Sequence, residues 1–263
     1  MSATPDPAAV GLPDGVVACL FDLDGVLTDT AKVHAAAWKE MFDAFLRQRD
    51  GANFVPFDEV ADYDAYVDGK PREDGTRSFL ESRGIHLPEG GVDDPPDRDT
   101  IHGLGNRKNE IVLRRIHQDG VDAYPGSVRY VKAVRDAGLR RAVVSSSTNC
   151  RDVLVAAGID SLFDDVVDGL VARQDHLRGK PAPDTYQAGA RRLGVDASQA
   201  TVFEDALAGV ESGRAGGFRV VVGVDRVGQA EALKAHGATI VVTDLAELLD
   251  QDPPEPGEAP RPA

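Results

Sequence analysis

The chain has 263 residues, 42% of them apolar, and a formal net charge of −15, which allows one large domain or two modest ones with a sizeable core. So acidic a surface excludes most nucleic-acid partners, and with no apolar run of about 18 residues no membrane-spanning helix is expected. Two cysteines, Cys19 and Cys150, make no disulfide framework, so a cytoplasmic protein is expected.

In chain order, Met1 to Gly15 is rich in Pro, Ala and Gly and lacks the basic and apolar regions of a secretory signal. A disordered tail is expected over 1–15. Val16–Phe21 then reads as a buried strand. It runs into Asp22-Leu23-Asp24-Gly25, and carboxylates following an apolar strand need a cation or a role. Asp22 can attack phosphorus and Asp24 can exchange a proton with the attacking or leaving oxygen, while an acidic turn capping a helix explains the pair equally well. Ala31–Arg47 has helical spacing, and from about Val33 to Gln118 no buried strand is visible. That stretch reads as helices joined by polar loops, among them Glu89–Asp99, and as an insert it would lie over a site at the strand ends.

Strand–helix alternation then resumes. Helix Ser127–Ala137 leads to strand Ala142–Val144, which ends in Ser145-Ser146-Ser147-Thr148-Asn149 before helix Arg151–Ala157. Hydroxyls and free N–H groups at a helix start can hold an anion or merely cap the helix. Strand Val166–Val167 is followed by Gly179-Lys180-Pro181 and helix Pro183–Leu193. A lysine fixed there can neutralise both a phosphoryl group and Asp22, which an acidic chain needs locally, or can be a solvated lysine before a helix. Strand Thr201–Phe203 ends in Glu204-Asp205 before helix Ala206–Ala215, with Val220–Val224 and Thr239–Val242 as the last strands. Asp22, Asp205 and Glu204, with the Asp24 carbonyl, could hold Mg²⁺, which removes the repulsion between a carboxylate nucleophile and a phosphate, while Glu204-Asp205 also reads as an acidic helix cap with a first-turn charge. Residues 251–263 are expected to be a second disordered tail.

The expected fold is α/β. A doubly wound parallel-sheet (Rossmann-like) core spans 16–32 and 119–250, with an α-helical cap domain at 33–118.

The four strand-end motifs together, over roughly Val16 to Asp250, resemble the haloacid dehalogenase superfamily of phosphotransferases. The resemblance implies Asp22 as nucleophile, Asp24 as acid/base, Ser145 and Lys180 on the phosphoryl group, and Glu204 and Asp205 at Mg²⁺. Asp22 to Lys39, reading DLDGVLTDTAKVHAAAWK, resembles the β-phosphoglucomutase branch, including His34 and also Thr30 and Trp38, which the resemblance implies touch the substrate. Val67 to Asp74 resembles that branch's cap loop, with Gly69 and Arg72 at the positions that meet a distal phosphate. Lys108, Ser147 and Asn149 match further substrate-side positions, and the matching histidine, His34, would orient Asp24. A helix histidine packed between domains is the plainer account of His34. Asp68 stands where the branch has lysine, Gly75 where it has serine, and Glu89–Asp99 is an insertion.

The expected activity is interconversion of β-glucose 1-phosphate and glucose 6-phosphate through an aspartyl phosphate, by a monomer acting on small sugar phosphates. Transfer to water, making a sugar-phosphate phosphatase, is the alternative. A non-catalytic sugar-phosphate binder would be marked by loss of Asp22 or Asp205, and both are present.

Overall fold

The computed structural model describes residues 4–250. Six parallel strands form one sheet in the order β3-β2-β1-β4-β5-β6. They are β1 (Ala18–Phe21), β2 (Arg140–Val144), β3 (Asp165–Val167), β4 (Ala200–Glu204), β5 (Val220–Val224) and β6 (Ile240–Val242). The order reverses at β1, which pairs with β2 on one side and β4 on the other. Ligands of such sheets bind beyond the C-terminal strand ends at that reversal. The Asp22 N–H continues the ladder by donating to the Phe203 carbonyl at 2.9 Å, and the Ser145 N–H does so to Val167 at 3.0 Å. Asp22, Ser145 and Glu204 therefore emerge side by side from neighbouring strands.

Alternate β1 side chains serve opposite layers. Cys19 and Phe21 join one apolar cluster, Ala18 and Leu20 the other, and all are fully buried. Phe21 stacks on Phe203 with ring centroids 4.4 Å apart and meets Tyr130 of α4 (Pro125–Asp136) edge-on at 6.3 Å. On the other face α7 (Asp184–Arg192) lies so close that a Cβ on Gly189 would meet Leu20 at 2.5 Å. The remaining core helices are α5 (Cys150–Ala156), α6 (Gly169–Gln174), α8 (Leu207–Ala215) and α9 (Ala230–His236).

Between β1 and α4 the chain makes a helical excursion of α1 (Ala31–Asp50), α2 (Arg72–Ser82) and α3 (Ile101–Asp119). The expected cap limits, 33 and 118, fall inside α1 and α3. Its interior is aromatic: Phe42 packs against Trp38, Phe57 and Phe79 at centroid distances of 5.2, 5.3 and 4.1 Å. The two connections to the core run side by side. Asp29 N–H donates to the Asp122 carbonyl at 3.0 Å, and the Tyr124 hydroxyl donates to Asp29 Oδ1 at 2.9 Å.

The expected 1–15 tail needs correction. Within it Pro7–Val10 forms a 3-10 turn, Val10 and Leu12 are fully buried, and the Tyr130 hydroxyl donates to the Val10 carbonyl at 3.0 Å. Two apolar side chains and one buried hydroxyl suffice to anchor the segment, although its composition is poor in apolar residues. The second expected tail, 251–263, lies outside the described residues. No helix among the described residues is long and apolar enough to cross a membrane.

A candidate active site at the strand ends

Lys180 reaches in from the loop before α7, 3% exposed, and organises the carboxylates. Its Nζ donates to Asp22 Oδ1 at 2.5 Å, to the Val144 carbonyl at 3.3 Å, and to Glu204 Oε1. Burial works against the ammonium, yet Asp22 and Glu204 hold its pKa above the ordinary lysine value. Glu204 has further partners: Tyr186 donates to its Oε1 at 2.9 Å and the Ala206 N–H to its Oε2 at 3.1 Å.

Asp22, Glu204 and Asp205 each bring a carboxylate oxygen within 4.8 Å of the others. Burial pushes Asp22 well above the usual carboxylate range against the pull of Lys180. Asp205 is raised too, by burial and then by Asp68 and Glu204. Crowded hard oxygens of this kind fit a small divalent cation. Glu204 already spends its oxygens on Lys180, Tyr186 and Ala206, so Asp22 and Asp205 fit such an ion best. Gly25, at φ 82°, is needed twice: its backbone is left-handed, and a Cβ would run into the Asp205 carboxylate.

Asp24 is held from α1. Thr30 donates to Asp24 Oδ1 and lies 2.8 Å from the Thr28 hydroxyl, so it begins α1 without capping it. His34 Nε2 stands 3.7 Å from the same Asp24 oxygen, and its Nδ1 lies 2.9 Å from Lys108 Nζ. Burial, then the Lys108 charge, lowers His34 to about 4, so the imidazole is neutral at pH 7. With Lys108 donating to Nδ1, the ring proton sits on Nε2 and faces Asp24. Lys108 is itself pulled down to about 7 by burial, with its ammonium 4.8 Å from the Trp38 ring centre.

The cap touches the core around these groups through its loop at Gly69 and through α3. Ser146 donates to the Gly69 carbonyl at 2.9 Å, and Asn149 to Asn109 at 2.8 Å. Gly69, at φ 67°, lies against Ala206, which a Cβ would meet at 3.0 Å. Ser145 and Ser147 Oγ accept from the N–H groups of Ser147 and Asn149, each at 3.1 Å, which curls the loop at the β2 end. Arg72 begins α2, bonded through Nη2 to Glu73 Oε1 and Asn106 Oδ1, both at 3.2 Å.

One cavity of about 1090 Å³ gathers these groups. Asp22, Asp24, Lys180 and Asp205 line it, as do Ser145, Ser147 and Asn149 at the β2 end. From the cap come His34, Trp38, Gly69, Arg72 and Lys108. Glu204 lies behind Lys180. Thr30, expected to touch substrate, is instead 1% exposed behind Asp24, where its hydroxyl is already used. Gly75 packs against Trp38, which a Cβ would meet at 3.3 Å, so a larger residue there must displace the ring. Asp68 lines the cavity and is raised to about 7 by burial and then by Glu204 and Asp64. The insertion is ordered around Asp94, which accepts from Thr100 at 2.7 Å and Arg98 at 2.8 Å. Its Val92 and Asp94 carbonyls both accept from the Asn106 amide, at 3.0 and 2.9 Å, which turns Asn106 Oδ1 toward Arg72. Sequence reasoning missed Glu73, His102 and Arg173, which line the same cavity; no linear motif marks them.

The family model for haloacid dehalogenase-like hydrolases matches residues 16–217. The chain is 57% identical over 246 residues to a β-phosphoglucomutase of Mycobacterium tuberculosis, covering 91% of this chain and 94% of that one. It is 30% identical over 207 residues to a fructose-1-phosphate phosphatase of Escherichia coli, covering 77% and 93%. Among solved structures it is similar to β-phosphoglucomutase from Clostridium difficile, with TM-score 0.71 and 25% identity over 89% of this chain and 93% of that one.

Proposed function

Because the chain belongs to the haloacid dehalogenase-like hydrolases, and is similar over nearly all its length to their β-phosphoglucomutase branch, we propose that it interconverts β-D-glucose 1-phosphate and glucose 6-phosphate. Asp22, carrying a phosphoryl group, gives it to the 6-hydroxyl of β-glucose 1-phosphate while Asp24 takes that hydroxyl's proton. The 1,6-bisphosphate turns over, with Arg72 gripping whichever phosphate is distal. Asp22 then accepts the 1-phosphoryl group and Asp24 returns its proton to the leaving oxygen, giving glucose 6-phosphate. Ser145 and Lys180 hold the phosphoryl group in transit.

Mg²⁺ is the cation best matched to the Asp22, Glu204 and Asp205 carboxylates; Asp22 and Asp205, with the Asp24 carbonyl, would hold it, with Glu204 beside them, and it would neutralise charge between carboxylate and phosphate. The enzyme would work as a cytoplasmic monomer on small sugar phosphates.

The observation that carries the mutase reading is the line Lys108–His34–Asp24, in which the cap's His34, backed by Lys108 at 2.9 Å, stands 3.7 Å from the core's proposed acid/base. Proton transfer is thereby tied to cap docking, which favours a sugar hydroxyl over water as acceptor. The 30%-identical phosphatase relative supports the second reading, hydrolysis of the same aspartyl phosphate. Incubation with glucose 1,6-bisphosphate and Mg²⁺, followed by acid quench and intact mass, tests the nucleophile. The expected result is one added phosphoryl group, absent in Asp22→Asn, whose turnover falls below ~1% of wild type. Phosphorylation that persists in Asp22→Asn would remove Asp22 from this role.

A further inference from the structure

Glu73, next to Arg72 at the start of α2, lies where three cation-capable side chains converge on its Oε1. Arg72 Nη2 is 3.2 Å away, Arg173 Nη2 3.5 Å and His102 Nδ1 3.8 Å. Arg72 and His102 come from cap helices, Arg173 from α6 of the core, so the convergence spans the cavity. The cavity's other arginines have carboxylates of their own: Arg77 holds Asp74 at 2.7 Å and Glu89 at 2.6 Å, and Arg178 holds Asp184 at 2.8 Å. One carboxylate thus serves two guanidinium groups, and Arg72 Nε is buried without an acceptor. The α6 backbone is anchored on the loop at the β2 end, since Gly169 N–H donates to the Ser147 carbonyl at 3.0 Å. A Cβ on Gly169 would meet the Ser146 carbonyl oxygen at 2.7 Å, so α6 and this loop sit in contact. Arg173 follows one turn later, on the side that faces Glu73.

A phosphoryl dianion presents three terminal oxygens and nearly two charges, and satisfies two guanidinium forks better than one carboxylate does. We propose that Arg173 is a second arginine for the distal phosphoryl group, supplied by the core, and that this group displaces Glu73 from between Arg72 and Arg173. The inference rests on the mutase reading insofar as the substrate carries a phosphoryl group remote from Asp22. Arg173 makes sugar bisphosphates and phosphosugars the favoured ligands, and adds a core-side grip that draws the cap down.

Binding in an Asp22→Asn background, where no turnover occurs, separates the two ideas. Glucose 1,6-bisphosphate and inorganic phosphate are titrated by calorimetry with Mg²⁺ into Asp22→Asn alone and combined with Arg173→Ala, Arg173→Lys or Glu73→Ala. Arg173 is half exposed, so its replacement leaves the fold intact. Arg173→Ala is expected to weaken the bisphosphate roughly tenfold or more and leave inorganic phosphate unchanged. Arg173→Lys should recover part of the loss, and Glu73→Ala should tighten bisphosphate binding. An Arg173→Ala affinity within about twofold of its parent, or an equal loss for inorganic phosphate, would overturn the inference. Failure of Asp22→Asn alone to bind the bisphosphate would overturn the mutase reading and this inference together.

Discussion

Asp24 shows how single residues acquire roles from neighbours that are distant in sequence. Its carboxylate is fixed by Thr30 from the start of α1 and approached by His34, whose other nitrogen meets Lys108 from α3. The paired aspartates were legible because acids at the end of a buried strand are rare without a role. Their supporting residues were legible only through resemblance, and Thr30 was misplaced, since spacing does not say which way a hydroxyl turns. Glu73 and Arg173 carried no signal, because their meeting depends on how α2 and α6 face each other. Arg72→Ala should cut mutase turnover far more than hydrolysis of a small aryl phosphate, which has no distal phosphoryl group; equal losses on both substrates would deny Arg72 that contact. The cysteines make a separate expectation. Burial raises both thiols, Cys19 and Cys150, well above the ordinary value, so little thiolate exists in the folded chain at pH 8. Alkylation by iodoacetamide at pH 8 should be slow in the native protein and fast in denaturant, and rapid native labelling would contradict the packing.

At the scale of elements, the six strands were readable because each is a short β-branched or apolar run closed by polar residues. Helices α6 and α9 were not: α6 opens on Gly169 itself, and Gly228 stands two residues before α9. The loop at 89–99 reads as featureless Gly, Pro and Asp, yet Asp94, Thr100 and Asn106 tie it together with paired hydrogen bonds. The N-terminal segment shows the same limit, since Val10 and Leu12 form no period. Leu12 is fully buried, so Leu12→Ala should cost about 2–5 kcal/mol of unfolding free energy, read by urea titration. An unchanged midpoint would restore the segment to a tail.

For the whole molecule, the balance of charge is what makes the chemistry possible. A chain of net charge −15 brings Lys108, Lys180, Arg72 and Arg173 to one cavity, where they stand among the carboxylates of Asp22, Asp24, Asp68 and Asp205. The cap supplies Lys108 and Arg72, the core Lys180 and Arg173, and the loop contacts at Gly69 and Asn109 bring the two sets together. On the proposed mechanism, a cap docked over this cavity would keep water from the aspartyl phosphate, the property that separates a mutase from a phosphatase. The most direct test is a product assay on β-glucose 1-phosphate with Mg²⁺ and a trace of glucose 1,6-bisphosphate, following glucose 6-phosphate and free phosphate together. Glucose 6-phosphate should form, with free phosphate a minor product throughout. Stoichiometric release of free phosphate, with glucose 6-phosphate never accumulating, would contradict the mutase reading.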